Sequence, residues 1–264
     1  MITSSQNPLV KQIRKLHRAK GRQEQNLLLL EGTHLLETAL EVNCSLDTVC
    51  YSPQWQVKYV HLYEQVLTRS RRVECVSPEV LQQLATTVNP DGVIATIDRD
   101  FQNLSPIKSP KLGLILERIQ DPGNLGTIIR SAVATGVDSI WTSEDSVEFD
   151  NPKVLRASAG AWFHLPKQSS PDLEKLIHDY QTQGIQVIAT QMNASKTYWE
   201  TDFRRSSIIL LGNEGAGLSP ELAKLADETV RIPLASGVES LNVAIAAALL
   251  LYEAQRQKVS LEKR

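Results

Sequence analysis

The chain has 264 residues, 42% hydrophobic and 22% charged, a composition that excludes a disordered or collagen-like polymer and leaves room for two domains. A formal net charge of −2 excludes a uniformly basic chain. The longest apolar run, Val243–Tyr252, is too short to span a bilayer, and the opening Met-Ile-Thr-Ser-Ser-Gln-Asn-Pro lacks the layout of a secretory signal, so a cytoplasmic protein is expected.

Charge is unevenly placed along the chain. Met1–Arg22 carries Lys11, Arg14, Lys15, Arg18, Lys20 and Arg22 and no acidic residue. Helical spacing puts Lys11, Arg14, Lys15 and Arg18 on one flank and turns Leu9, Ile13 and Leu16 inward, which reads as a solvated face or a phosphate-binding one. Next come a strand at Asn26–Leu30, a helix through Leu40, a strand at Leu46–Tyr51, a helix through Leu67, a strand at Arg72–Val76, a helix after Ser77-Pro78 and a strand at Gly92–Ile97. This β-α alternation predicts a first domain over residues 1–104. Proline and lysine cluster in Ser105–Lys111, the expected linker. Residues 112–264 then alternate again. Strands are expected near Leu112–Leu116, Ser139–Thr142, Gln186–Ala189, Ser207–Leu211 and Thr229–Ile232. Helices are expected near Leu125–Thr135, Leu173–Gln183, Pro220–Ala226 and Leu241–Lys258. The pattern predicts an α/β fold with a parallel sheet covered on both faces, and leaves the strand order open.

Cys44, Cys50 and Cys75 show no Cys-x-x-Cys spacing and the five histidines are scattered, so neither a disulfide framework nor a metal site is expected. Trp55, Trp141, Trp162 and Trp199 lack the spacing of a stacking platform and read as packing residues.

Three segments of the second unit carry the chemistry. Glu117-Arg-Ile-Gln-Asp-Pro-Gly-Asn-Leu-Gly-Thr-Ile-Ile-Arg130 runs from a strand through a Pro-Gly turn into a helix. Ile208-Ile-Leu-Leu-Gly-Asn-Glu-Gly-Ala-Gly-Leu-Ser-Pro220 takes a buried-type strand into a glycine loop with one carboxylate, Glu214. Ile232-Pro-Leu-Ala-Ser-Gly-Val-Glu-Ser-Leu-Asn242 ends a strand at a proline and starts a helix near Ser240 and Asn242. Each puts polar groups at the C-terminal end of a strand, the ligand edge of an open α/β sheet. Each also has a plainer reading, with Asn124, Ser240 and Asn242 as helix caps and Glu214 as the neutraliser of a buried charge.

Together and in this order the segments resemble the motifs of the SpoU (TrmH-like) RNA ribose 2′-O-methyltransferases of the SPOUT superfamily, over about Leu112–Gln257. The family's Asn-x-Gly-x-x-x-Arg appears as Asn124, Gly126 and Arg130. Its Gly-x-Glu-Gly-x-Gly-Leu appears as Gly212, Glu214, Gly215, Gly217 and Leu218. Its Ile-Pro and Ser-Leu-Asn appear as Ile232, Pro233, Ser240, Leu241 and Asn242. The resemblance implies a C-terminal trefoil knot, a homodimer with its active site near the subunit interface, and an N-terminal RNA-recognition domain shaped like a ribosomal protein. It implies S-adenosylmethionine as methyl donor, lined by Leu211, Gly212, Ile232, Leu241 and Asn242. Arg130, Asn124, Glu214, Ser240 and Asn242 are the implied catalytic residues.

A guanidinium stays protonated in proteins, so Arg130 is expected to grip an RNA phosphate and stabilise developing alkoxide rather than act as the base. Lys11, Arg14, Lys15, Arg18, Lys153 and Arg156 are expected to contact RNA, with Ser158 as a further site candidate. Deleting Met1–Arg22 is expected to weaken RNA binding and flatten its salt dependence while hardly changing cofactor affinity. A bulky side chain at Gly212 is expected to abolish cofactor binding by filling the backbone approach while leaving most of the fold intact. A separate N-terminal domain favours ribosomal RNA over transfer RNA. The alternative is a non-enzymatic RNA-binding protein on the same fold. A Rossmann dehydrogenase is disfavoured, since Gly212–Gly217 reads Gly-x-x-Gly-x-Gly, late in the chain and in the wrong order.

Overall fold

The computed structural model describes residues 1–101, 104 and 107–262. The chain divides into two compact units, Met1–Asn103 with Asp150–Phe163, and Leu104–Phe149 with His164–Arg264.

In the first unit the elements run α1 (Pro8–Lys15), α2 (Ala19–Gln25), β1 (Leu27–Glu31), α3 (Thr33–Glu41), β2 (Leu46–Tyr51), α4 (Pro53–Lys58), α5 (Val60–Arg69), β3 (Ser70–Cys75), α6 (Pro78–Leu84) and β4 (Val93–Asp98). The sheet order is β1-β4-β2-β3, with β4 antiparallel to both β1 and β2 and with β2 parallel to β3. The β-α alternation therefore closes on a mixed sheet, a distinction that periodicity does not encode. The expected basic helix is two helices, because Leu16–Arg18 turn between α1 and α2 and leave Arg18 in the bend. Leu9, Val10, Ile13 and Leu16 bury against Val80, Leu81 and Leu84 of α6.

The second unit holds β5 (Leu112–Leu116), α7 (Pro122–Ala134) and β6 (Ser139–Ser143). The chain then contributes α8 (Pro152–Ala157) to the first unit before β7 (Lys167–Ser170), α9 (Leu173–Thr182), β8 (Gln186–Thr190), β9 (Lys196–Thr197), β10 (Ser207–Leu211), α10 (Pro220–Leu225), β11 (Glu228–Arg231) and α11 (Val243–Glu262). Seven strands in the order β7-β6-β5-β10-β8-β11-β9 pair in parallel throughout. Ile115, Val187, Ala189, Ile208 and Leu210 form one buried face with Leu173, Ile177 and Leu222 of α9 and α10. The alternate residues Leu114, Leu116, Ile188, Ile209 and Leu211 are equally buried on the other face, as an all-parallel sheet requires. Among the described residues no helix is long and apolar enough to cross a membrane. Of the expected linker, residues 105 and 106 lie outside the described residues.

Candidate active site

The central strands β5 and β10 lie side by side in register, so the segments that follow them, 117–121 and 212–219, emerge together at one sheet edge. Glu117 bridges them: its N–H donates to Leu211 O (2.8 Å), its Oε2 accepts from Ser219 N–H (2.7 Å), and its Oε1 lies 3.3 Å from Arg118 Nη2. Arg118 takes a left-handed backbone (φ 53), held by Ser143 Oγ on its N–H and by Asn213 Nδ2, which donates to its carbonyl at 2.8 Å. Asn213 also accepts from the N–H groups of Gly215 and Ala216, both at 2.9 Å, and exchanges main-chain hydrogen bonds with Gly217. The glycine loop is thus folded around Asn213, a residue that the motif reading passes over as a variable position.

Glu214 is drawn into the opposite segment. It accepts from Asn124 Nδ2 (3.0 Å), Asp121 N–H (3.2 Å) and Gln120 N–H (3.3 Å). Asn124 Oδ1 in turn accepts from Asn242 Nδ2 (2.8 Å), and Asn242 Oδ1 accepts from Ala244 N–H (2.9 Å) at the start of α11. One hydrogen-bond chain therefore joins all three sequence segments. It also fixes the orientation of both amides, because Glu214 offers only acceptors and the end of α11 only donors. Asn124 is not a helix cap: Asp121 caps α7, its carboxylate accepting from Asn124 N–H at 3.0 Å. Asn242 does cap α11.

Burial raises the Glu214 carboxyl, but the hydrogen bonds from Asn124 and the main chain, including Asp121 and Gln120, outweigh it and hold the group below its ordinary range. Glu214 is accordingly an ionised positioning group rather than a proton acceptor at neutral pH. A carboxyl lowered on folding stabilises the protein above its unfolded pKa and loses that contribution as pH falls through the folded one. The gap in melting temperature between wild type and Glu214→Gln is expected to stay constant from about pH 8 to about pH 5 and to close below about pH 4. A gap unchanged by acid would show that the charge contributes nothing.

Ile232 follows β11 directly and opens a long loop to Asn242. From Pro233 to Leu241 the main chain makes one backbone hydrogen bond among the described residues, Val238 N–H to Ala235 O (3.2 Å). The open N–H and C=O groups lie between Ile232 and Leu241 in the chain, both partly exposed. Apolar surface flanked by unspent main-chain groups fits a cofactor with an adenine ring and an amino-acid tail. Gly212 answers a different need. A Cβ there would come closer than 3.0 Å to main-chain atoms of Gly217 and Leu218, so the loop itself requires glycine, and a side chain there would not spare the local fold.

Two implied catalytic residues stay outside the hydrogen-bonded chain. Ser240 is exposed and makes no hydrogen bond among the described residues. Arg130 lies on α7 six residues beyond Asn124, about 9 Å along the axis and roughly 120° around it, exposed and without an ion-pair partner among the described residues.

Comparison with known proteins decides the family. Residues 111–252 match the family model described as SpoU rRNA Methylase family, and residues 7–95 match an MRM3-like substrate binding domain. The chain belongs to the SpoU methylase family. It is 51% identical over 97% of its length to an uncharacterized tRNA/rRNA methyltransferase of Synechocystis, of which the match covers 94%. It is 30% identical over 95% of its length to the 23S rRNA (guanosine(2553)-2′-O)-methyltransferase RlmP of Bacillus subtilis, covering 97% of that protein. The crystal structure of an AdoMet-bound rRNA methyltransferase from Sinorhizobium meliloti superposes with a TM-score of 0.82 at 33% identity, covering 97% of each chain.

In this SpoU methylase the remaining candidates belong to the first unit. Lys11, Arg14, Lys15 and Arg18 are exposed, and Lys153 is exposed at the start of α8. Arg22 is instead fully buried, bonded to Asp150 and to Leu16 O. Deleting Met1–Arg22 would therefore remove core residues as well as charge, against the expectation from sequence. Arg156 pairs with buried Glu31 (2.7 Å) and with Thr86 Oγ1 (2.6 Å), contacts that fasten α8 to β1. Ser158 is fully buried and donates to Leu155 O at 2.7 Å, so it closes α8 and faces no ligand.

Proposed function

We propose that this protein transfers the methyl group of S-adenosylmethionine to a ribose 2′-hydroxyl of ribosomal RNA. The observation that carries the reading is the hydrogen-bond chain Glu214–Asn124–Asn242 beside the open main chain of 233–241. S-adenosylmethionine supplies a methyl group made electrophilic by its sulfonium. Leu211, Ile232 and Leu241 provide the apolar contact for it, and Gly212 lets the loop close at that edge. Asn124 and Asn242 each keep one amide N–H beyond those already spent, available to hold ribose oxygens. Arg130 meets the RNA phosphate as a permanent cation.

The reading extends to the whole molecule. Residues 1–104, joined by Asp150–Phe163, recognise the RNA, and the rest of 112–264 carries the transfer, with a trefoil knot in the C-terminal chain. Ile245, Leu249 and Tyr252 lie on one face of α11 and are 51%, 36% and 54% exposed, an apolar stripe suited to a second copy of the chain. A homodimer would cover that stripe and bring in Arg130 from α7, on which α11 packs. The cytoplasm is where such an enzyme meets its RNA.

The test is methyl transfer from radiolabelled S-adenosylmethionine to unmodified 23S rRNA, followed by alkaline digestion. The label is expected in alkali-resistant dinucleotides, the mark of a blocked 2′-hydroxyl. Label on a base, on transfer RNA only, or on no RNA would overturn the reading.

A further inference from the structure

We propose that the loop Thr86–Pro90, tied at its start to the α1–α2 turn and α8, is the surface on which the first unit holds unpaired nucleotides of its RNA; this rests on RNA being the substrate. Three elements far apart in sequence meet there. His17, in the α1–α2 turn, places Nε2 2.8 Å from Leu84 O, two residues before Thr86. Arg22, on α2, grips Asp150 just ahead of α8 with Nε at 3.0 Å and Nη2 at 2.9 Å. From α8, Arg156 returns to Thr86 Oγ1 at 2.6 Å. These contacts fasten the first residue of the loop, and the chain just before it, to the α1–α2 turn and α8.

The loop is held rigid from beneath. Glu31, 5% exposed at the end of β1, accepts from Thr86 N–H (3.0 Å), Thr86 Oγ1 (2.6 Å) and Thr87 N–H (3.2 Å) while pairing with Arg156. At the far end Asp91 Oδ2 accepts from Thr33 N–H at 2.8 Å. Glu31, beneath the loop, is turned inward and spent on donors, and exposed Asp91 has one carboxylate oxygen engaged by Thr33. What the loop presents outward is Val88, 79% exposed, and exposed Asn89.

The chemistry of this surface selects its ligand. Lys11, Arg14, Lys15 and Arg18 are exposed, and none has an ion pair among the described residues; Lys153 stands one turn from Arg156 on α8. Exposed cations on the elements tied to this loop suit a phosphate backbone. The exposed apolar tip at Val88 gains nothing from an A-form duplex, whose bases are stacked inside and whose major groove is too narrow for side chains. It gains from base faces turned outward in a loop or bulge.

The full-length protein is titrated with fluorescent unmodified 23S rRNA fragments, using unlabelled hairpin-loop and fully duplex RNA as competitors. Val88→Glu is expected to weaken binding tenfold or more, and Val88→Ser several-fold, with S-adenosylmethionine affinity and melting temperature unchanged. Val57→Glu on α4, at a site 78% exposed, serves as control and is expected to bind as wild type. Replacing Lys11, Arg14, Lys15 and Arg18 by Gln is expected to flatten the salt dependence, by about 0.7 in log–log slope for each single-strand phosphate that is no longer neutralised. Hairpin RNA is expected to compete better than duplex. Wild-type affinity in both Val88 variants, equal losses at Val57 and Val88, or better competition by duplex would overturn the proposal while methylation by the wild type still stood. A wild type that methylates no RNA would overturn both readings.

Discussion

Arg130→Ala is expected to slow single-turnover methyl transfer to rRNA by roughly 10²-fold or more while leaving S-adenosylmethionine binding unchanged. The side chain is exposed on α7 and takes no part in the Glu214–Asn124–Asn242 chain, so truncating it removes a cation without disturbing the loop architecture. A 2′-hydroxyl is a weak nucleophile, and a guanidinium fork on the neighbouring phosphate both positions it and stabilises the charge that develops on oxygen. Arg130→Lys keeps a point charge but loses the bidentate geometry, and should retain measurable activity between wild type and Arg130→Ala. Its pH–rate profile should match wild type at lower amplitude. A displaced ionisation in Arg130→Lys, measured in single turnovers where product release cannot mask chemistry, would reassign Arg130 as the proton acceptor.

The legible parts of this fold are those where burial dictates composition. Leu46–Tyr51, Leu112–Leu116 and Ser207–Leu211 are strands at the boundaries read from sequence, because each is an apolar run cut off by turn residues and buried in the structure. β7 is Lys-Gln-Ser-Ser at the sheet edge, and no hydrophobic pattern marks it because little of it faces a core. β9 is two residues long. The antiparallel pairing of β4 with β1 and β2 is also silent in sequence, since strand direction depends on which partner the chain finds rather than on side-chain alternation.

The excursion of Asp150–Phe163 into the first unit is the largest feature that sequence does not announce. It depends on pairings over long separations: Asp150 with Arg22 and Arg99, Arg156 with Glu31, and Ala159 O with His34. Arg22 and Arg156 read as surface cations when only their neighbours in sequence are known, yet each answers a buried carboxylate on another element. At the active site, Asn124, Glu214 and Asn242 are identifiable from sequence, but their connection is not. Asn213 and Arg118 escape a motif reading because their contribution is a main-chain geometry, one holding a loop and the other bent at positive φ. The one local sign is Glu117-Arg118, a charged pair at the end of an apolar strand.

Gly212→Ala is expected to abolish S-adenosylmethionine binding and methyl transfer and to lower the melting temperature at the same time. The added Cβ would press on the main chain of Gly217 and Leu218, not on a side chain that could rotate away. Overpacking of this kind costs about 1–3 kcal/mol where neighbours can shift. Here the neighbours are the closing strand of the loop, pinned by the mutual Asn213–Gly217 hydrogen bonds. Forcing them apart pulls Asn213 from Arg118 O and Glu214 from Gln120, Asp121 and Asn124, so the damage spreads along the chain that orients both amides. Gly215→Ala is the matched control. Its Cβ would meet only Asn213 Oδ1 at 3.6 Å, an ordinary contact, and binding and melting are expected to stay near wild type. Calorimetric titration with S-adenosylmethionine beside thermal melts of both variants separates the two meanings of the glycine. A Gly212→Ala protein that melts like wild type yet fails to bind would mean that glycine is kept there for the approach of the ligand, whereas a joint loss of melting temperature and binding, spared in Gly215→Ala, is what loop closure requires.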